Sequence, residues 1–182
     1  EWDGSVPLID PMCGSGTIPI EAALLARGVP PGLNRRFAFE RWPECDARAW
    51  AELLDRASQE TRDNREGATR ILGSDRDAGA IEAALANAER AGVGGDIEFS
   101  QCVISAIEPP PGPGWVVTNP PYGTRIGERL RLRDLYAQLG NVLRRRCPGW
   151  HVALLSADRM LEGQTGLALE ERFRTINGGI QV

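Results

Sequence analysis

The 182-residue chain contains no lysine: its 21 basic side chains are all arginine, set against 25 acidic ones for a formal net charge of −4. A global positive field is therefore excluded, and any grip on nucleic acid must come from local arginine clusters. There is one histidine, His151, and the four cysteines (Cys13, Cys45, Cys102, Cys147) include no C-x-x-C pair. No metal-ligand set or disulfide framework follows from them, and they read as the reduced thiols of a cytoplasmic protein. Long apolar runs are missing, as is a basic-then-apolar leader, so no membrane partner is expected. The chain opens on Glu1 without a methionine and closes on GGIQV inside a strand-like run. It is expected to be one domain, residues 1–182, cut from a longer protein.

What is present is an alternation. VPLID at 6–10 is a short apolar run ending in an acid, PMCGSG follows, and TIPIEAALLARG takes up helical spacing. Pro19 falls in the first turn of that helix, where its missing N–H costs little, and Gly28 stops it. RILGSD at 70–75 is a second strand ending in an acid, and AGAIEAALANAERAGV a second helix. DIEFSQCVI, WVVT and HVALLSA give three more strands, and LRLRDLYAQLGNVLRRRC sets apolar residues at helical spacing with arginines opposite them. LEERFRTI and GIQV are predicted to pair as an antiparallel hairpin across Asn177-Gly178-Gly179. Residues 29–69, rich in Pro, Arg and aromatics and then amphipathic, read as a helical insertion. The whole predicts a doubly wound α/β fold, with a mostly parallel sheet of seven strands and an antiparallel C-terminal hairpin.

The loop D-P-M-C-G-S-G at 10–16 sits after the first strand, where an open α/β sheet places its ligand. A dinucleotide fingerprint would put a third glycine where Pro19 stands. Asp10 would also repel a pyrophosphate, whereas it would attract an ammonium or sulfonium, so the loop suits a cationic nucleoside. Asp75 closes the second strand, where a carboxylate can accept hydrogen bonds from ribose hydroxyls. Either acid alone would read as a helix cap or a turn residue. Two at successive strand ends, one beside a glycine loop, favour a ligand site.

After the strand WVVT comes N-P-P-Y, from Asn119 to Tyr122. Neither proline has an N–H to donate, and Pro120 pushes Asn119 out of helical geometry, so the chain leaves the sheet edge stiff and extended. A strand-ending turn is the plain reading of these four residues taken alone.

D-P-M-C-G-S-G-T, G-S-D-R-D and T-N-P-P-Y-G, in that order, resemble the class I S-adenosylmethionine-dependent methyltransferases that modify exocyclic amines. P-P-G-L-N-R-R-F-A-F-E-R-W in the insertion is similar, more specifically, to the bacterial 23S rRNA guanine-N2 methyltransferases that carry a THUMP domain. The resemblance covers nearly the whole chain. It implies S-adenosyl-L-methionine as cofactor, held by Asp10, Pro11, Cys13, Gly14, Ser15, Gly16, Thr17, Asp75, Val103 and Asn119. It also implies that Asn119 and the carbonyl of Pro120 accept hydrogen bonds from the substrate amine, with Pro121 stiffening the corner and Tyr122 stacking on the base. Large-subunit rRNA is the implied substrate, with the RNA-binding domain elsewhere in the full chain. The rivals are an adenine-N6 DNA methyltransferase, a protein glutamine amide methyltransferase, and a binding module that keeps the pocket without turnover.

The chain departs from this pattern after the third strand. Cys102, Val103 and Ile104 stand where an acid usually accepts from the adenine amino group, leaving backbone groups or Ser105 as substitutes. Arg125, Arg129, Arg131 and Arg133 follow the corner closely and are expected to contact phosphate. Arg144, Arg145 and Arg146 end a helix, where a cation has an electrostatic reason of its own. Arg35 and Arg36 with Phe37, Phe39 and Trp42 read either as an RNA clamp or as the insertion's own docking surface. Cys13 reads as a packing residue.

Overall fold

A computed structural model describes residues 1–33, 35–59, 69–122, 129–177 and 179–182. Within the sheet, β1 (Leu8–Asp10), β2 (Ile71–Asp75), β3 (Ile97–Gln101), β4 (Trp115–Thr118) and β5 (His151–Leu154) are all parallel, in the order β3-β2-β1-β4-β5. Helices α1 (Thr17–Ala26) and α3 (Ala78–Ala91) cover one face, and α4 (Arg129–Arg146) covers the other with α5 (Arg159–Thr165) packed on it.

Strand alternation builds both cores. Leu8 packs with Ile20, Ala23, Ile71 and Ala88 on the α1/α3 side, while Ile9, the next residue, packs with Val116, Leu139, Val142 and Leu143 on the α4 side. Burial on both faces is why β1, buried throughout, reads as a short continuous apolar run. The helices start and stop where their caps allow. Asp77 accepts the Ala80 N–H at 2.9 Å to begin α3, which ends at Gly92, and Asp158 accepts the N–H groups of Met160 and Leu161 to begin α5.

Two expectations are corrected. Among the described residues the sheet has five strands, because the predicted strand over LEERFRTI forms only at its end, as β6 (Ile176–Asn177), which pairs with β7 (Ile180–Gln181) in a separate two-stranded ladder. Residues 170–177 are exposed throughout, so they offer no apolar face that a sheet edge would bury. Helix α5, absent from the sequence reading, stands between β5 and that hairpin.

In the insertion, α2 (Ala47–Gln59) has no buried residue. Phe37 and Phe39 stack at 5.7 Å and both meet Trp50 of α2 edge-on, so these aromatics hold the insertion to itself, while Trp42 is 63% exposed. Asn34 and residues 60–68 of this expected segment lie outside the described residues.

Candidate active site

The crossovers reverse direction between β1 and β4, and open α/β sheets bind ligands outside the carboxyl ends of the strands at such a point. Four strand ends line up there: Asp10 closes β1, Asp75 closes β2, Cys102 and Val103 follow β3, and Asn119 follows β4. Backbone bonds fasten the row. The Cys13 N–H donates to the Ser74 carbonyl and the Cys102 N–H to the Asp75 carbonyl, each at 2.9 Å.

The glycine loop closes tightly on α1 and α3. Gly16 begins α1 at φ 87°, and a Cβ there would stand 3.0 Å from the Ala84 Cβ and 3.2 Å from the Phe99 ring. Gly14, at φ 53°, has nothing within 4 Å of its Cβ position, so the loop backbone borders open space. Pro11 and Cys13 are buried beneath it, and Ser15 and Thr17 are exposed.

Asp10 is 1% exposed, and its Oδ1 accepts the Thr118 hydroxyl at 2.7 Å and the Met12 N–H at 3.1 Å. Burial pushes its carboxyl up to about 6; those two bonds work against the rise, and the negative charge of Asp75 adds to it. Asp75 is half-buried, accepting the Gly14 N–H at Oδ2 (3.1 Å) and the Asp77 N–H at Oδ1 (3.0 Å). Two carboxyl groups thus stand beside the glycine loop, an arrangement that would attract a positive charge rather than a phosphate. Burial first, and then the charges of Asp10 and Asp75, push the Cys13 thiol up to about 12, so it stays protonated and serves packing.

At the corner, Thr118 is fully buried and its carbonyl accepts the Leu155 N–H at 3.0 Å. Pro120 is buried and Pro121 exposed, so the chain turns outward between them. Asn119 is half-buried, and its Oδ1 accepts the Tyr122 hydroxyl. Two residues that the sequence did not single out support this arrangement. Tyr136 of α4, fully buried, points its hydroxyl at the Pro121 carbonyl (3.5 Å), and burial above all pushes its phenol up to about 12, keeping it a neutral donor. Asn177 of β6 donates from Nδ2 to the Tyr122 hydroxyl at 3.3 Å. In sequence, Tyr136 reads as one more apolar position of a helix and Asn177 as a turn residue.

Of the four arginines expected to contact phosphate, the side chains of Arg131 and Arg133 are described. Arg131 and Arg133 are both exposed but sit two residues apart on α4, about 200° around the helix. Arg125 lies outside the described residues, and only the backbone of Arg129 is described. Val103 is 52% exposed beside β3 with no side-chain acceptor, whereas Ile104 turns into the core.

The whole of residues 1–182 matches the family described as UPF0020: RMKL-like, methyltransferase domain. The chain belongs to this family. The methyltransferase domain is 39% identical over 176 residues to the ribosomal RNA large subunit methyltransferase K/L of Shewanella sp. (strain MR-4), covering 96% of this chain and 25% of that protein. Among solved structures, it is similar to SMU.472, "a putative methyltransferase complexed with SAH", at 29% identity and a TM-score of 0.89, over 100% of this chain and 47% of that one. It is also similar to "a predicted N6-adenine-specific DNA methylase" from Listeria monocytogenes str. 4b F2365, at 38% identity and a TM-score of 0.82, over 91% of this chain and 43% of that one. The domain thus spans a quarter of the curated relative and less than half of either structure. Among the described residues, no group of three or more His, Cys, Asp or Glu could hold a metal, and no helix is long and apolar enough to cross a membrane.

Proposed function

We propose that residues 1–182 form a catalytic domain that methylates the exocyclic N2 amine of a guanine in large-subunit ribosomal RNA, with S-adenosyl-L-methionine as methyl donor. One observation carries the reading: the amine-type corner at Asn119 and the acid-flanked glycine loop lie side by side at the switch point, joined by the buried Thr118–Asp10 hydrogen bond. The family and the SAH-bound neighbour support the cofactor, and the K/L relative supports the RNA.

The residues fit that cofactor. The open space at Gly14 admits a ligand against the loop backbone, Asp75 keeps acceptor capacity for ribose hydroxyls, and the two carboxyl groups suit a cationic nucleoside. The exposed Val103 side chain offers an apolar surface for the adenine ring, with backbone groups left to meet its amino group. When bound, the cofactor supplies an electrophilic methyl group on a sulfonium.

The chain's own part is electrostatic. An aryl amine is a poor nucleophile because its lone pair is delocalised into the ring. Asn119 Oδ1 has two lone pairs, one of them engaged by Tyr122, and with the Pro120 carbonyl it accepts from the substrate NH₂. These fixed acceptors favour the pyramidal nitrogen on which positive charge develops. The methylated ammonium is acidic and releases its proton to water, so no strong base is required. Tyr122 lies beside the base and stacks on it, a contact worth roughly 1–3 kcal/mol. A further RNA-binding domain is assigned outside residues 1–182, in keeping with the greater length of the relatives.

The Listeria neighbour favours a second reading, methylation of adenine N6 in DNA, because the same corner accepts from either amine. Incubating the full-length protein with labelled cofactor and separate RNA, DNA and protein pools tests the choice. Label entering RNA alone supports the proposal, and label entering DNA supports the second reading.

A further inference from the structure

A groove of about 860 Å³ lies between α4 and the loops that follow β2 and β3. Its lining includes Arg76, Ser105, Arg131, Asp134, Arg145 and Arg146. Arg76 directly follows Asp75, so one end of the groove adjoins the strand-end row of the active site. Arg131 and Arg145 are fourteen residues apart on α4, and a rise of about 1.5 Å per residue separates them by about 21 Å along the helix.

Charge is concentrated here against the trend of the molecule. Four arginines and one aspartate line the groove, although acids outnumber arginines in the chain as a whole. Arg146 is held by donating from Nη1 to the Ile107 carbonyl at 2.7 Å. Among the described residues no ion pair engages Arg76, Arg131 or Arg145, while arginines elsewhere, such as Arg27, Arg70, Arg159 and Arg174, are paired with carboxylates. The three therefore keep their guanidinium forks free, and such forks match phosphate oxygens.

We infer that this groove binds the phosphate backbone of a single-stranded stretch of RNA next to the target nucleotide and leads it from the strand-end row along α4. The inference rests on the RNA reading above. To Arg131, one of the four arginines expected to contact phosphate, it adds Arg76, Arg145 and Arg146, which line the same groove. It also gives Arg145 and Arg146 at the end of α4 a role beyond their helix terminus. Base identity is read elsewhere, since phosphate contacts position a strand without specifying its sequence.

The test measures binding of the full-length protein to a single-stranded polyuridine RNA across a range of salt concentrations. Each phosphate neutralised on a single strand contributes about 0.7 to the slope of log K against log salt. The Arg131→Gln/Arg145→Gln variant is therefore expected to lose about 1.4 from that slope. Arg131→Lys/Arg145→Lys should regain most of it, and the charge-matched Arg48→Gln/Arg172→Gln variant, whose residues do not line the groove, should keep the wild-type slope. An unchanged slope in the groove variant, or an equal loss in the charge-matched one, overturns the inference and leaves RNA methylation standing. A groove variant that melts at lower temperature without RNA and keeps its slope also overturns it, because the groove is then covered by another part of the polypeptide. Wild-type protein that shows no salt-dependent RNA binding overturns the RNA reading itself.

Discussion

Thr118 donates its fully buried hydroxyl to Asp10 Oδ1 at 2.7 Å, joining the ends of β4 and β1 across 108 residues of sequence. The amine corner and the cofactor loop therefore cannot shift independently. Replacing Thr118 with Val removes a hydrogen bond to a buried carboxylate, worth about 1.5–3 kcal/mol. Asp10 has its carboxyl raised from 3.8 to about 6, so the fold opposes its ionisation. Stability is lost as pH rises from about 4 through about 6, and the loss is complete above that range. Thr118→Val should therefore destabilise the protein more at pH 8 than at pH 4 in thermal melts. An equal loss at both values would mean that the hydroxyl does not serve the ionised form.

Cofactor affinity should follow the same titration. A cationic ligand favours ionised Asp10, and an α-amino group with a pKa of about 7.7–8.0 stays charged through the relevant range. Calorimetry between pH 5 and 7 should show S-adenosylmethionine binding more tightly as pH rises. Asp10→Asn should bind weakly with little pH dependence. Affinity that falls over this interval would place the positive group away from Asp10.

Asp75 holds the Gly14 and Asp77 N–H groups with its two oxygens, and its proposed second task is to accept from the cofactor ribose. Asp75→Ala should raise the cofactor Kd by about tenfold to a hundredfold, given about 1.4 kcal/mol per decade. The rate at saturating cofactor should stay within a few-fold, because uniform binding is lost rather than transition-state binding. A large fall in saturated rate at unchanged Kd would move Asp75 to the reacting centre.

Gly140 tests the packing behind the corner. A Cβ at this position of α4 would stand 1.8 Å from the Thr165 carbonyl oxygen, which belongs to the backbone of α5. Alanine gains about 1 kcal/mol in helix propensity, but forcing α5 away from α4 should more than cancel it, since overpacking typically costs about 1–3 kcal/mol and occasionally more. Gly140→Ala should lower Tm, and a higher Tm would show that α5 yields freely.

Much of this was legible in the sequence because it lies in local patterns. The acids that end β1 and β2, the glycine loop and the two prolines of the corner announce themselves by type and position. Thr118 did not, because its partner depends on β1 lying beside β4, and strand order is a property of the whole sheet. That Arg131 and Arg133 leave α4 about 200° apart is a fact of helical rotation that spacing along the chain does not display. LEERFRTI looked like a strand, yet its residues from Glu170 onward are exposed and give a sheet nothing to bury, and only its end, Thr175 and Ile176, pairs with the last residues of the chain. Helix α5 was missed although Asp158 and Gly166 mark its ends, because its seven residues are too few to show a period.

The most direct test of the account takes rRNA from a strain lacking the gene, and from the same strain supplied with wild-type or Asn119→Ala protein, and digests it for nucleoside mass spectrometry. The account predicts that one N2-methylguanosine is lost with the gene and restored by the wild type. Asn119→Ala should not restore it, since losing one preorganised acceptor of this kind costs about 10²–10³ in rate, while its cofactor affinity stays within a few-fold. Loss of N6-methyladenosine with guanosine methylation intact, or full restoration by Asn119→Ala, would contradict it.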